Sequence, residues 1–148
     1  MQLKQLQMVA KYELEKEQKL AGEYQYVQQH LQLQHQKLEG LQQHRLSYLT
    51  EIQKRATQGM GSMSYGQHQS FIDKLDKACE IQHQEINKIG EVAEQRKGLW
   101  LAQQQKRKAV DMLIDKQLSA RNARLEREEQ QMMDETALQK FVRKRQSI

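Results

Sequence analysis

The sequence predicts an all-α protein: two long helices forming an antiparallel coiled-coil hairpin, with the second helix longer than the first and overhanging it. The first observation is composition, since the 148 residues include 27 glutamines and no proline, with 37% apolar and 29% charged residues. Such a chain favours long uninterrupted helices and has too few apolar residues for a conventional core. The other two observations are a pair of apolar stripes at heptad spacing and one glycine-rich break between them.

The first helix is predicted over about residues 2–57, because its apolar residues recur at the 3–4 spacing of a coiled coil. With Leu3 at heptad position a, eleven of the sixteen a and d positions are apolar. The a positions are Leu3, Ala10, Glu17, Tyr24, Leu31, Leu38, Arg45 and Ile52, and the d positions are Leu6, Glu13, Leu20, Val27, Gln34, Leu41, Tyr48 and Arg55. The pattern indicates a helix with one narrow apolar stripe.

The stripe breaks at a segment that holds three of the seven glycines, Gly59, Gly61 and Gly66. Because glycine clusters between periodic segments mark turns, a turn is predicted over about residues 58–64. Ser64 followed by Gln67 has the spacing of a capping box, in which two side chains satisfy the free backbone N–H groups of a helix start. We therefore expect the second helix to begin there.

The second helix is predicted over about residues 65–145. Nine of its thirteen seam positions are apolar, and these positions are Ile72, Leu75, Cys79, Gln82, Ile86, Ile89, Ala93, Arg96, Trp100, Gln103, Arg107, Val110 and Ile114. At about 1.5 Å per helical residue, the start of the first helix lies level with about residue 118 of the second. The last 25 or so residues then have no intramolecular partner, and an isolated helix that polar is marginal in water.

Catalytic and metal chemistry is not predicted. The chain has no phosphate-binding glycine loop, no HExxH motif and no cysteine cluster, and His30 and His35 lie on different helix faces. We expect no enzyme activity, no cofactor and no metal. The longest apolar run, residues 99–102, is far too short to cross a membrane, and the N-terminus lacks the apolar region of a secretory signal. A cytoplasmic location is expected.

Charge alternates along the second half of the chain. Residues 96–127 hold nine Lys or Arg and three acids, residues 128–135 are acidic, and basic residues follow from 140 to 145. A nucleic-acid-binding arm is more often basic throughout, so nucleic acid is not the expected partner. An RNA-binding arm and a generic homodimeric coiled-coil scaffold remain alternative interpretations.

A patch near the turn follows from the hairpin geometry. Facing residues of antiparallel helices have numbers with a constant sum, and for a sum near 119 four pairs form one two-helix surface. These pairs are Tyr48 with Phe71, His44 with Leu75, Leu41 with Ala78, and Lys37 with Gln82. Tyr48 and Phe71 either anchor a partner or widen the hairpin core, and the sequence leaves both readings open.

The residues resemble the FliJ family, the small coiled-coil component of the bacterial flagellar type III export apparatus. The matching stretches run from Gln69 to Ile72 and from Leu75 to Ala78, then Trp100 before a basic run, and then Met133, Asp134, Glu135 and Ala137 near a basic C-terminus. Length, turn position and the longer second helix agree as well. The resemblance covers nearly the whole chain.

The resemblance implies a function that periodicity does not. FliJ-like proteins are stalks that insert the end carrying both termini into the ring of the export ATPase, promote its assembly, contact the membrane export gate and escort export chaperones. The gate-contacting positions carry over to Leu41, Tyr48, Phe71, Leu75 and Ala78. Lys37, His44 and Gln82 depart from the family pattern, with His83 one residue late. The implied location is cytoplasmic, at the inner-membrane base of the flagellum, with no direct membrane insertion.

The candidate contacts with the ATPase ring are basic residues of the C-terminal segment, with a solvated charged face as the alternative. They are Arg121, Arg124, Arg127, Lys140, Arg143, Lys144 and Arg145. Electrostatic contacts of this kind weaken as salt rises. The equivalent stalk of a virulence injectisome fits the same pattern, and gene neighbourhood separates the two.

Overall fold

The computed structural model describes residues 2–147 as two long helices, α1 (Leu3–Thr57) and α2 (Ser62–Gln146), with no strand in this part of the chain. The helices pack against each other, and α2 has 85 residues against 55 in α1. The predicted fold class, an all-α hairpin with a longer second helix, is confirmed.

The chain divides into two compact units, each described here by itself. One is Gln18–Ala102, and the other joins Met1–Glu17 with Gln103–Ile148. The prediction of a single unit over residues 1–148 stays a prediction, and its two end residues lie outside the described part.

The connection between the helices is four residues long and depends on one glycine. Gly59 has a φ of 96°, in the left-handed region that residues with a Cβ adopt at a cost. At the end of α1, the backbone N–H groups of Gln58 and Gly59 donate to the carbonyls of Arg55 and Ala56, at 3.2 and 3.3 Å. A left-handed glycine directly after a helix is a common way to end one.

The start of α2 differs from the predicted capping box. The helix begins at Ser62, so Ser64 and Gln67 lie within its first turns. The Gly61 carbonyl accepts a hydrogen bond from the Tyr65 N–H at 3.1 Å, which closes the first turn about three residues earlier than predicted. The connection is therefore shorter than expected, and Ser64 and Gln67 lie inside α2 and do not cap it.

The two predicted seams are the buried faces of the helices. Fifteen of the sixteen a and d positions of α1 are buried or half-buried, and Arg55 beside the turn is the exception. All thirteen seam positions of α2 are buried or half-buried as well. The most buried apolar side chains are Leu6, Leu38, Ile52, Ile72, Leu75, Ile86, Ile89 and Ala93.

Polar residues in the two seams pair with each other across the interface. In the unit of residues 18–102, the Gln82 side-chain amide donates to the Gln34 backbone carbonyl at 3.0 Å and to the Gln34 side-chain oxygen at 2.7 Å. In the other unit, the Gln103 amide donates to Glu13. Buried polar residues at a and d positions fix the register of a coiled coil at some cost in stability.

An ion pair between the buried Glu17 and the half-buried Arg107 completes this polar seam. The Arg107 guanidinium donates to Glu17, which is buried, and to Asp111 one turn along α2 at 2.9 Å. The Glu17 and Asp111 carboxylates raise the pKa of Arg107 above its ordinary value. Because the pKa of Arg107 is higher in the folded chain than in the unfolded chain, protonated Arg107 stabilises the fold at every pH below its unfolded-state pKa. This stabilisation is fully present at neutral pH and is lost only in strong alkali.

Reversing this pair one residue at a time is expected to destabilise the hairpin. Glu17→Arg and Arg107→Glu each place like charges together in the seam, so each lowers the urea midpoint of unfolding followed by circular dichroism at 222 nm. The double variant E17R/R107E restores opposite charges and recovers part of the loss, the recovery staying partial because Asp111 adjoins position 107. A double variant whose loss equals the sum of the two single losses would contradict pairing.

The last part of α2 continues beyond the start of α1. Leu3 of α1 shares a surface hollow with Gln117, Ala120, Arg121 and Arg124 of α2. From Arg124 to Ser147 every residue is exposed, although the helix runs to Gln146. We call residues 124–146 the overhang. In residues 2–147, neither helix contains a segment apolar and long enough to span a membrane.

Candidate partner-binding surfaces

An aromatic cluster forms where the sequence predicted a patch near the turn. The Tyr48 and Phe71 rings lie with centroids 4.7 Å apart and planes at 56°. His44 meets the edge of Phe71 at 6.4 Å, and the Tyr48 hydroxyl is hydrogen-bonded to the Nδ1 atom of His68. Ring pairs at these separations are favourable beyond the area they bury. The cluster joins both helices into one surface close to the turn.

The five predicted gate-contact residues differ in how far a partner can reach them. We call Leu41, Tyr48, Phe71, Leu75 and Ala78 the turn-proximal surface. Phe71 is 39% exposed, whereas Leu75, one turn along the helix, is 8% exposed and belongs to the core. Leu41, Tyr48 and Ala78 are half-buried. Phe71 is therefore the most accessible of the five and Leu75 the least accessible.

Two residues near this surface, Gln82 and His68, make polar contacts between the helices. Sequence reasoning placed Gln82 both in the α2 seam and in the patch, and it is buried and bonded to Gln34 in the seam. His68 was not singled out, yet it holds the Tyr48 hydroxyl. The available signal was its position three residues before Phe71, which places both side chains on one face of α2.

The seven basic candidates for the ATPase ring lie on α2, on or just before the overhang. All seven are exposed, and within the described residues none of them forms an ion pair. They are Arg121, Arg124, Arg127, Lys140, Arg143, Lys144 and Arg145. The overhang thus carries charged groups that are free to pair with another molecule.

Apolar side chains on the overhang are exposed as well. Met132 and Met133 line a shallow hollow with Thr136 and Ala137, and Leu125 lies exposed two turns earlier. Leu138, Phe141 and Val142 add a second apolar group that sequence reasoning did not single out, although Phe141 is one of two phenylalanines in the chain. A helix with large exposed apolar side chains has a surface that suits a protein partner.

The remaining candidates for chemistry are possible metal ligands, the single cysteine and the single tryptophan. Residues 2–147 contain no group of three or more His, Cys, Asp or Glu side chains placed to hold a metal ion. Cys79 is a free, half-buried cysteine in the seam of α2. The stack of Tyr24 on Trp100, with centroids 5.7 Å apart, places Trp100 in the helix interface. Cys79 and Trp100 are therefore packing residues of the helix interface.

Comparison with known protein families gives a match over nearly the whole chain. A family model described as "Flagellar FliJ protein" matches residues 1–146 of the 148-residue chain. The match includes both helices, the turn between them and the overhang. No curated protein and no solved structure matches the chain significantly.

Proposed function

The chain belongs to the FliJ family of flagellar proteins, and we propose that it acts as a non-catalytic stalk and adaptor in flagellar protein export. In this proposal it binds the export ATPase and promotes assembly of the ATPase hexamer. It also contacts the membrane export gate and escorts export chaperones. It works at the cytoplasmic face of the inner membrane, at the base of the flagellum.

The overhang is the observation that carries the proposal. It combines unpaired basic side chains with exposed Leu, Met and Phe side chains on a helix that α1 does not cover. A single helix this polar is marginal in water, because most helical stability in proteins comes from packing. Contact with the inside of a protein ring supplies that packing, and the alternating charges add contacts that set orientation.

The turn-proximal surface suits the second contact, with the export gate. Exposed aromatic side chains held by neighbouring rings are frequent anchors of protein interfaces, since they bury large area at little entropic cost. Phe71 is held in this way by Tyr48 and His44. The two contacts then use different residues, so one stalk serves both partners.

The direct test adds the purified chain to its cognate export ATPase. At a stoichiometry of one chain per six ATPase subunits, we expect a larger hexamer fraction in gel filtration with multi-angle light scattering, together with faster ATP hydrolysis. Both effects should weaken as ionic strength rises, because exposed charge pairs are screened. Unchanged hydrolysis and unchanged assembly at low salt would refute the ATPase contact.

A further inference from the structure

A row of mostly apolar side chains, most of them exposed, lies beside the α2 seam. With Ile72 at heptad position a of α2, the residues directly before the a positions, heptad position g, are Phe71, Ala78, Glu85, Val92 and Leu99. Val92 is 40% exposed and Leu99 is 45% exposed. Four apolar residues in five at seven-residue spacing form one continuous line along a helix in a coiled coil. The line passes from the turn-proximal surface to residue 99.

Contacts between the helices show which side of the hairpin this row occupies. Phe71 at g meets His44, which is at g of α1. Asp76, at position e, pairs with Arg45 across the other edge of the seam. The two g rows therefore line one side of the seam, and the e rows line the opposite side.

Helix α1 adds apolar side chains to the same side. Tyr26 and Leu33 occupy position c, which adjoins g on the helix surface. Both are exposed. Facing residue numbers sum to about 119, as the Tyr48 and Phe71 contact shows, so Tyr26 lies level with Val92. We call Tyr26, Leu33, Val92 and Leu99 the lateral face.

Charges on α2 differ between the two sides. On the lateral side lie Lys74 and Lys88, both exposed and neither in an ion pair within the described residues. The opposite side, at positions b and e, carries four acids and one lysine, which are Asp73, Asp76, Glu80, Glu94 and Lys97. Helix α1 contributes an exposed Lys37 to the lateral side, while its Glu23 is engaged by Arg96 at 3.6 Å. Glu85 is the one unpaired acid there, so the rim is basic.

We propose that the lateral face is a docking surface for an amphipathic helix of another protein, whose apolar stripe is flanked by acidic residues. The docked helix lies as a third strand in the groove between α1 and α2, with its apolar side chains against Val92 and Leu99. Its acids pair with Lys37 and Lys88, whose side chains are free to do so. This surface is separate from the overhang, and it does not depend on the ATPase contact.

The basic rim of the lateral face favours an acidic-flanked helix over a second copy of the chain. A second copy offers exposed apolar side chains on its own lateral face, whose rim is basic, and on the overhang, whose two ends are basic. Basic ends against a basic rim repel each other, whereas an acidic flank supplies opposite charge. The groove along residues 71–99 spans about 42 Å of helix, enough for four heptads of a third strand.

Two synthetic peptides test the proposal on the full-length chain. Both are fluorescein-labelled 28-residue amphipathic helices with the same Leu stripe, one flanked by Glu and the other by Lys. In fluorescence anisotropy at 0.15 M salt, we expect the Glu-flanked peptide to bind at least about tenfold more tightly. V92Q/L99Q should weaken its binding by about tenfold or more, because two apolar contacts are lost.

The matched control replaces two exposed leucines on the opposite side of the hairpin. Leu46 and Leu101 are exposed at position b, and L46Q/L101Q should change binding by less than about twofold. Equal affinity for the two peptides, no binding of either, or equal loss in both double variants overturns the proposal. Concentration-dependent dimers in sedimentation velocity that V92Q/L99Q abolishes would assign the face to a second copy and overturn it too.

Discussion

Deleting residues 124–148 is expected to abolish stimulation of the cognate export ATPase while the hairpin stays folded. Every described residue from Arg124 onward is exposed, so the deletion removes no buried contact from the seam. The deleted segment nevertheless holds six of the seven basic candidates and all the apolar side chains of the overhang. ATP hydrolysis should fall to the rate of the ATPase alone, and the urea midpoint of unfolding should change little.

Charge reversal separates a specific contact from a general loss of helix. R121E/R124E/R127E should reduce stimulation by about tenfold or more, because three unpaired cations become anions beside their partner surface. The control reverses Lys97, Lys106 and Lys108, which are also exposed, and it should retain most of the stimulation. If the control loses as much as the test variant, net charge rather than this surface drives the effect.

Replacing Phe71 with Ala is expected to weaken binding to the cytoplasmic part of the export gate by about tenfold or more, as for a buried aromatic anchor. The ring is 39% exposed in the free chain, so the substitution removes a reachable contact and leaves the seam residues in place. Isothermal titration calorimetry with the purified gate domain measures the change, and the helical content should stay that of the parent.

Tyr65→Ala provides the matched control for Phe71. Tyr65 is also an exposed aromatic residue near the turn, but it is outside the cluster of Tyr48, His44 and His68. Gate binding should be unaffected by this variant. Leu75→Ala is unsuitable for the purpose, since truncating a buried leucine costs about 2–5 kcal/mol of stability and would mix folding with binding. Full gate affinity in F71A would remove Phe71 from the interface.

The heptad pattern was sufficient to predict the fold because a hairpin has one buried stripe per helix. Positions such as Leu38 and Ile86 recur at the spacing that puts them in the interface. The end of α1 was also predictable from the glycine-rich segment, since Gly59 supplies the left-handed conformation that ends a helix. The start of α2 was misplaced because the Ser64 and Gln67 spacing also occurs by chance inside helices.

The polar contacts were harder to predict than the apolar seam. In the sequence, Glu17 and Gln103 interrupt an apolar pattern. Only the register of the two helices gives each of them a partner on the other helix. His68 was hidden for the same reason, because its bond to Tyr48 joins residues twenty positions apart. Exposure of Phe141 and Met132, by contrast, follows from the unequal helix lengths that the sequence predicted, because the second helix continues past the start of the first near residue 118.

The proposed function requires the overhang to enter the ATPase ring while the turn end stays outside it. Site-specific photo-crosslinking tests this directly, with a benzophenone side chain placed at Met132 on the overhang or at Met63 beside the turn, both exposed. With the assembled cognate ATPase, we expect a crosslinked product from position 132 and none from position 63. A product from position 63 alone, or from neither position in a complex that still forms, would contradict it.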